Sequence, residues 1–310
     1  MYVPVIIQRI QIFVYRLTVT ILSWYNKGKK KPDVICVFLE KIIFWARLGE
    51  VPNFKNPNNL WEFVCSQKLY GDYARLAAVA DKIAVRKYVG QRIGSSYLKK
   101  LIDVVDNEND ITEERYLRYP EQFVAKPNHA SERIFIQKEY NYSLFRNGIR
   151  NFLDEFGNCN NEFHYKYIDK KLIIEEYLNS SDKPLKEFKV WVFHGKAEFI
   201  DPSLSILESK LRNDYRYRWY DRNWEEPRVQ VRDNLAPYVE PPKQLAEIIK
   251  ISEELASGWD FIRVDIYLSG DTIKFGELTP TPSAGRSPFI SLDDHRYLYN
   301  TYLRKATHSN

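Results

Sequence analysis

Cysteine and histidine are both scarce in this chain, and their scarcity closes several routes. Three cysteines, Cys36, Cys65 and Cys159, stand far apart and are odd in number. They form neither a zinc pattern nor a disulfide framework, which suits a reducing cytoplasm. The five histidines show no metal-ligand spacing. An excess of one charge is lacking too. The 46 basic and 41 acidic residues leave a net charge of +5, with no concentrated basic stripe of the kind duplex binding needs. Internal repeats and low-complexity segments are absent. What the chain does have is bulk. At 310 residues, 44% hydrophobic and 28% charged, it is globular, with a large core in one domain or two intimate lobes. Aromatics reach 15%, enough for a surface that stacks on sugar rings or sits at a membrane interface, although most rings are expected in the core.

Residues 3–25 are strongly apolar, and Arg9 and Arg16 interrupt them. On a helix these arginines share a narrow stripe with Thr20 and Ser23. A spanning helix would bury both, at roughly 2.5–3.5 kcal/mol each near the bilayer centre. A signal peptide needs its positive charge before the apolar run, whereas Lys27, Lys29, Lys30 and Lys31 follow it. An amphipathic helix in the membrane interface, with residues 1–31 as the contact, fits better. A helix docked on the protein's own core is the alternative. A second helix is expected over 34–48 and a third over 60–70.

Further on, Asp81 to Val89 reads as a helix and 101–105 as a strand. Phe123-Val124-Ala125-Lys126-Pro127-Asn128-His129 is a strand running into a polar turn, with Ile134-Phe135-Ile136 returning. A lysine there can hold a phosphate together with turn N–H groups, or be an ordinary strand-end lysine. Leu172 to Leu178 is a strand that ends on Glu175 and Glu176. A hairpin turned at His194-Gly195 puts Lys189 on one face with Trp191 and Phe193, an unusual place for a lysine without a partner. Residues 241–258 form an amphipathic helix ending at Gly258. A second hairpin, Arg263 to Tyr267 and Phe275 to Thr279, brings Asp265 and Glu277 close on the face that carries Arg263. Two carboxylates beside an arginine on rigid strands can hold hydrated Mg2+ against phosphate oxygens, or be the charged rim of an ordinary hairpin.

Taken in order, Asp81-Lys82-x-x-x-Arg86, the Phe123–His129 run, Glu175-Glu176-Tyr177-Leu178, Phe188 to Lys196, Arg263-Val264-Asp265 and Phe275-Gly276-Glu277-Leu278-Thr279 resemble the TupA-like branch of the ATP-grasp superfamily. The resemblance covers roughly residues 45–295. It implies an α+β ATP-grasp fold, two lobes enclosing ATP, preceded by N-terminal helices over 1–50; the first lobe would run over 51–180 and the second over 181–310. It implies ATP and Mg2+ as cofactors. Lys82, Lys126 and Ser131 would meet ATP phosphates, and Glu175, Glu176 and Leu178 the adenine and ribose. Lys189 would be a further phosphate or substrate contact. Asp265, Glu277 and Thr279 would hold the metal, with Arg263 as the cation facing the reacting group. His129 is a candidate for the phosphate or acceptor, or a turn residue. Arg286 would face the substrate. Read from its residues, the aromatic–basic run Tyr215 to Trp224 is either a loop that stacks on a sugar through rings such as Trp219 while Arg216 and Arg218 bind a uronate or diphosphate carrier, or a solvated loop with ordinary packing. The activity implied is a carboxylate–amine ligase joining an amino acid to a sugar of a surface polysaccharide, at the inner face of the membrane and without nucleic acid. A non-catalytic ATP- or glycan-binding subunit, or a phosphotransferase or glycosyltransferase of the same pathway, are the alternatives.

Two departures from the family pattern stand out. The phosphate loop, glycine-rich in the family, is Ala130-Ser131-Glu132-Arg133 here, and glycine there permits close backbone approach. The acidic-x-Asn metal pattern is Glu277-x-Thr279, a hydroxyl replacing an amide.

Overall fold

The structure is a computed structural model describing residues 5–130, 133–154, 160–178, 185–202, 217–229, 235–287 and 290–304, with side chains from residue 9 onward. Two antiparallel sheets organise it. The first has four strands in the order β1-β4-β2-β3: β1 (Leu101–Val105), β2 (Phe123–Pro127), β3 (Phe135–Gln137) and β4 (Leu172–Glu176). The second has five in the order β7-β6-β5-β8-β9: β5 (Leu185–Phe193), β6 (Lys196–Asp201), β7 (Tyr220–Asp221), β8 (Phe261–Ser269) and β9 (Thr272–Thr279).

Alternation sets the faces of the second sheet. Phe188, Val190, Val192, Ile262, Val264, Ile266 and Leu278 all point to one side. They pack on the apolar face of α8 (Leu245–Leu255), through Ile248, Ile249, Ile251 and Leu255. The opposite face changes character along its length. At one end Trp191, Phe193 and Phe261 pack against Trp61 and Val64 of α3 (Leu60–Tyr70) and Leu298 of α9 (Leu292–Leu298). At the other end the same face carries Glu187, Lys189, Arg263, Asp265 and Glu277. Here the core stops and a polar site begins. In the first sheet Phe123, Ala125, Leu172 and Ile174 pack on Tyr116 of α6 (Glu113–Tyr116) and Phe145 of α7 (Tyr142–Gly148). The alternate residues Val124, Lys126 and Glu175 are left for the other side.

The helix expected from Asp81 to Val89 is present, starting at Ala84, and a further helix, not expected from the sequence, ends just before Asp81. α4 (Tyr73–Ala80) ends at Asp81, whose carboxylate accepts from the Ile83 N–H at 2.8 Å, and α5 (Ala84–Arg92) starts after that turn. At the N-terminus, α1 (Val5–Tyr25) and α2 (Val34–Leu48) lie side by side as an antiparallel hairpin. Asp33 caps α2 by accepting from Ile35 and Cys36 N–H groups, a cap worth about 1 kcal/mol. One side of α1 docks on the protein's own core, the alternative the sequence offered to a membrane contact. Thr18, Leu22 and Asn26 are buried on the protein, while Ile10, Phe13, Leu17, Ile21 and Trp24 are exposed. Among the described residues no helix is long and apolar enough to cross a membrane.

The aromatic–basic run is corrected by the fold. Trp219 is buried among Trp191 and Phe199, and Tyr220 stacks on Trp224 with centroids 4.4 Å apart. These rings fill the core where a sugar-stacking surface was expected. Cys36 and Cys65 are buried free thiols, and Cys159 lies outside the described residues.

Candidate active site

β8 and β9 place the carboxylates, and a single glycine makes the placement work. Near the turn, Ile266 pairs with Phe275; beyond it, Asp265 pairs with Glu277. Gly276 is the extra residue, a β-bulge. Were Gly276 paired regularly with Asp265, Glu277 would lie opposite Val264 and point into the core, because directly opposed residues share a face. A Cβ at Gly276 would stand 2.7 Å from the Asp265 carbonyl oxygen, so only glycine fits there.

The carboxylates share one arginine. Arg263 donates from Nε to Asp265 Oδ1 and from Nη2 to Asp265 Oδ2, both at 2.7 Å, and Nη2 lies 3.1 Å from Glu277 Oε1. Thr279 Oγ1 donates to Glu277 Oε1 at 2.7 Å. Burial pushes the Asp265 carboxyl up to about 7, with Arg263 pulling the other way and Glu277 adding to the rise. For Glu277, desolvation is outweighed by Arg263 and then Lys82, which hold it at about 2. Glu277 opens into the cleft with 42% of its side chain exposed. Lys189, whose partner the sequence left unnamed, is 3.0 Å from Glu187 Oε2 on its own strand face.

Across the cleft stands a wall of cations. Lys126 of β2 is 2.7 Å from Glu175 Oε2 of β4, and Lys99, just before β1, is 3.1 Å from the same oxygen. Arg86 of α5 reaches Glu175 Oε1 at 3.5 Å and donates to the Lys99 carbonyl at 2.6 Å. Lys82 donates to the Ala130 carbonyl at 2.7 Å. Burial lowers the Lys82 and Lys99 ammonium groups to about 8. Glu175 is driven up by burial but pulled well below the usual carboxylate range by Lys126 and Lys99. Lys82, Arg86, Lys99, Lys126, Glu175, Gly276 and Glu277 line one cleft, with the apolar wall provided by Val79, Val85, Leu98 and Phe275. Four cations against two carboxylates leave positive charge in excess in a partly desolvated groove. That is the chemistry of a polyphosphate site with an apolar shelf for a base.

The structure brings together Lys82, Lys126, Glu175 and Glu277, with Arg263, Asp265, Thr279 and Lys189 continuing from Glu277 along the second sheet. Other expected residues are occupied elsewhere. Glu176 Oε1 accepts from the Lys100 N–H at 2.8 Å, and the Leu178 carbonyl accepts from Ser269 Oγ at 3.0 Å, linking the ends of the two sheets. His129 is fully buried beside Asn128 Oδ1, at 3.1 Å, and does not line the cleft. Arg286 is 4% exposed and forks onto Glu40 of α2, away from the cleft lining. Arg218 donates to the Ala236 carbonyl and pairs with Glu226. Ser131 and Arg216 lie outside the described residues. Sequence reasoning missed Lys99 as a site residue and used Arg86 only as part of a motif. The signal was present as a Lys-Lys pair entering a strand, but such pairs usually face solvent.

The TupA-like ATP-grasp family profile matches residues 63–300. No curated protein sequence matches the chain. Among solved structures, D-alanine–D-alanine ligase from Bacillus anthracis, complexed with ATP, is 16% identical with a TM-score of 0.41, covering 74% of this chain and 62% of its own. D-alanine–D-alanine ligase from Helicobacter pylori is 17% identical with a TM-score of 0.43, covering 73% and 62%. The ATP-grasp ligase PsnB, complexed with a minimal precursor, Mg and ADP, is 9% identical with a TM-score of 0.35, covering 67% and 52%. The chain therefore spans about three-fifths of the length of the D-alanine ligases it matches.

Proposed function

Since this chain belongs to the TupA-like ATP-grasp family, we propose that it is an ATP- and Mg2+-dependent carboxylate–amine ligase. Its product is an amide between an amino acid and a sugar of a surface polysaccharide, made in the cytoplasm at the inner face of the membrane. The observation that carries this reading is the continuity of the two charge clusters. The cations beside the first sheet, Lys126 of β2 with Lys82 of the α4–α5 turn, meet the paired carboxylates of the second at Glu277, which lines the same cleft.

The donor set fits a hard divalent cation. Asp265 and Glu277 offer carboxylate oxygens and Thr279 a hydroxyl oxygen, and these three would hold Mg2+. When bound, Mg·ATP supplies a phosphoryl group that activates a carboxylate for attack by an amine. The chain's own residues position and neutralise. Lys82, Lys99 and Lys126 hold phosphate charge in a groove that excludes much of the water, where each cation acts more strongly than in bulk. Glu175 orients Lys126 and Lys99 and keeps their ammonium groups from scattering. Arg263, fixed by Asp265, presents a planar cation at the place where negative charge develops on the reacting group. Lys189 faces the same end of the sheet, partnered by Glu187. Phosphoryl transfer asks for little covalent help beyond such positioning.

One observation favours a second reading, a nucleotide-binding protein that does not turn over. Arg263 already spans Asp265 and Glu277, and Thr279 already bonds Glu277. A single assay separates the two. ADP and phosphate released only when an amino acid and a uronic-acid oligosaccharide are both present support the ligase, and Glu277→Gln then abolishes release. Full activity in Glu277→Gln would remove the metal assignment. ATP bound without turnover under any acceptor combination would leave the second reading standing.

A further inference from the structure

The α1–α2 hairpin shows solvent an apolar side it does not use for packing. On α1, Ile10, Phe13, Leu17, Ile21 and Trp24 recur at helical spacing and all are exposed, Trp24 by 77%. On α2, Val34 and Phe38 are 81% and 61% exposed. Ten of the nineteen exposed large hydrophobic residues described lie on these two helices. Their packing faces are elsewhere: Leu22, Asn26, Cys36, Ile43 and Phe44 are buried on the body of the protein. Isolated exposed apolar residues need no explanation, but a continuous stripe does.

Charge identifies what covers it. Residues 1–32 contain six basic residues, Arg9, Arg16, Lys27, Lys29, Lys30 and Lys31, and no acidic one. The whole positive excess of the chain, +5, lies in this segment, and the remainder is slightly acidic. Arg9 and Arg16 run along one edge of the α1 stripe. Lys27, Lys30 and Lys31 are exposed in the turn between the helices. A second copy of the chain would bring the same cations face to face and repel.

We propose that the α1–α2 hairpin seats the protein on an anionic lipid surface. The stripes enter the boundary between headgroups and acyl chains, Trp24 sits at headgroup depth, and the cations meet lipid phosphates. The two arginines keep α1 in the interface plane, in agreement with its failure to qualify as a span. This deepens the location given above and rests on none of the ligase chemistry, because lipid binding is read without turnover.

The full chain is sedimented with vesicles of phosphatidylcholine alone, and with vesicles that also contain phosphatidylglycerol, at low and high salt. Binding is expected only with phosphatidylglycerol, falling about tenfold or more when high salt screens the cations. The triple variant Phe13→Ser, Leu17→Ser, Trp24→Ser is expected to stay in solution while its far-UV spectrum and ATP binding match those of the parent. Equal recovery of parent and variant overturns the proposal, as does no binding to either vesicle. A parent that dimerises through this face without binding vesicles assigns the stripe to a second copy and also overturns it.

Discussion

Lys82 and Lys99 carry their charge where burial opposes it, and the consequence is a pH dependence with a definite sign. Both ammonium groups sit near 8 in the fold, against a usual value of 10.5. Phosphate oxygens favour the protonated lysines, so ATP affinity is expected to be highest below pH 8 and to fall as pH rises through it. Titrating a fluorescent nucleotide on either side of pH 8 checks this; an unchanged dissociation constant would place the phosphates elsewhere. Without nucleotide the same two groups act oppositely on stability. Between about pH 8 and 10.5 the unfolded chain holds protons the fold has released, so their contribution rises with pH over that window. Legibility at this scale followed chemistry with short range. Lys82 and Lys126 announce themselves by motif and strand end, and Asp265 and Glu277 by alternation. Lys99 did not, because its meaning depends on Glu175, a residue far along the chain. The pairing of Arg286 was hidden for the same reason: its partner, Glu40, is 246 positions away.

Among elements, α2 and the loop after β9 are joined by a buried ionic knot. Glu40 is fully buried, accepts from Lys68 Nζ at 2.7 Å and Arg286 Nε at 2.8 Å, and also pairs with Arg286 Nη2. Burial would raise its carboxyl, yet Arg286 and Lys68 hold it at about 2. Lys68 also donates to the Ala284 carbonyl at 2.8 Å, inside a loop where Ser283, Ala284 and Gly285 all take positive φ. Glu40→Ala strands two buried cations and is expected to destabilise the fold by about 3–5 kcal/mol, read by urea unfolding. A loss under about 1 kcal/mol, the range of exposed pairs, would mean the knot is solvated. The stability Glu40 contributes is present above pH 4.5 and is lost as pH falls towards 2. Most strands and long helices were legible from period and punctuation, including the turn at His194-Gly195, where both residues have positive φ. The helix start beyond Asp81 was legible as well, whereas α4, which ends at the same residue, was not expected. The bulge at Gly276 was equally hidden: a glycine in a strand suggests one, but only the register shows that it turns Glu277 towards the cleft.

Across the whole molecule, the two sheets meet at a cleft with like charges crowded on one wall, and a bound polyanion relieves them. At a nucleotide concentration one hundred times its dissociation constant, stabilisation of about 2.7 kcal/mol is expected, seen as a rise in melting temperature. Lys126→Ala should lose most of that rise at the same concentration; a full rise would exclude Lys126 from the phosphate site. The knot at Glu40 has a consequence on this scale as well. Its carboxylate belongs to α2, whose outer side meets lipid in the proposal above, and its grip closes on Arg286, only a few residues beyond the strand that carries Glu277 and Thr279. On that proposal the hairpin is a mount and not a tether. A tethered enzyme tumbles within the radius of its linker, whereas a mounted one keeps its cleft at one height and one tilt above the bilayer, and its acceptors arrive from a single direction.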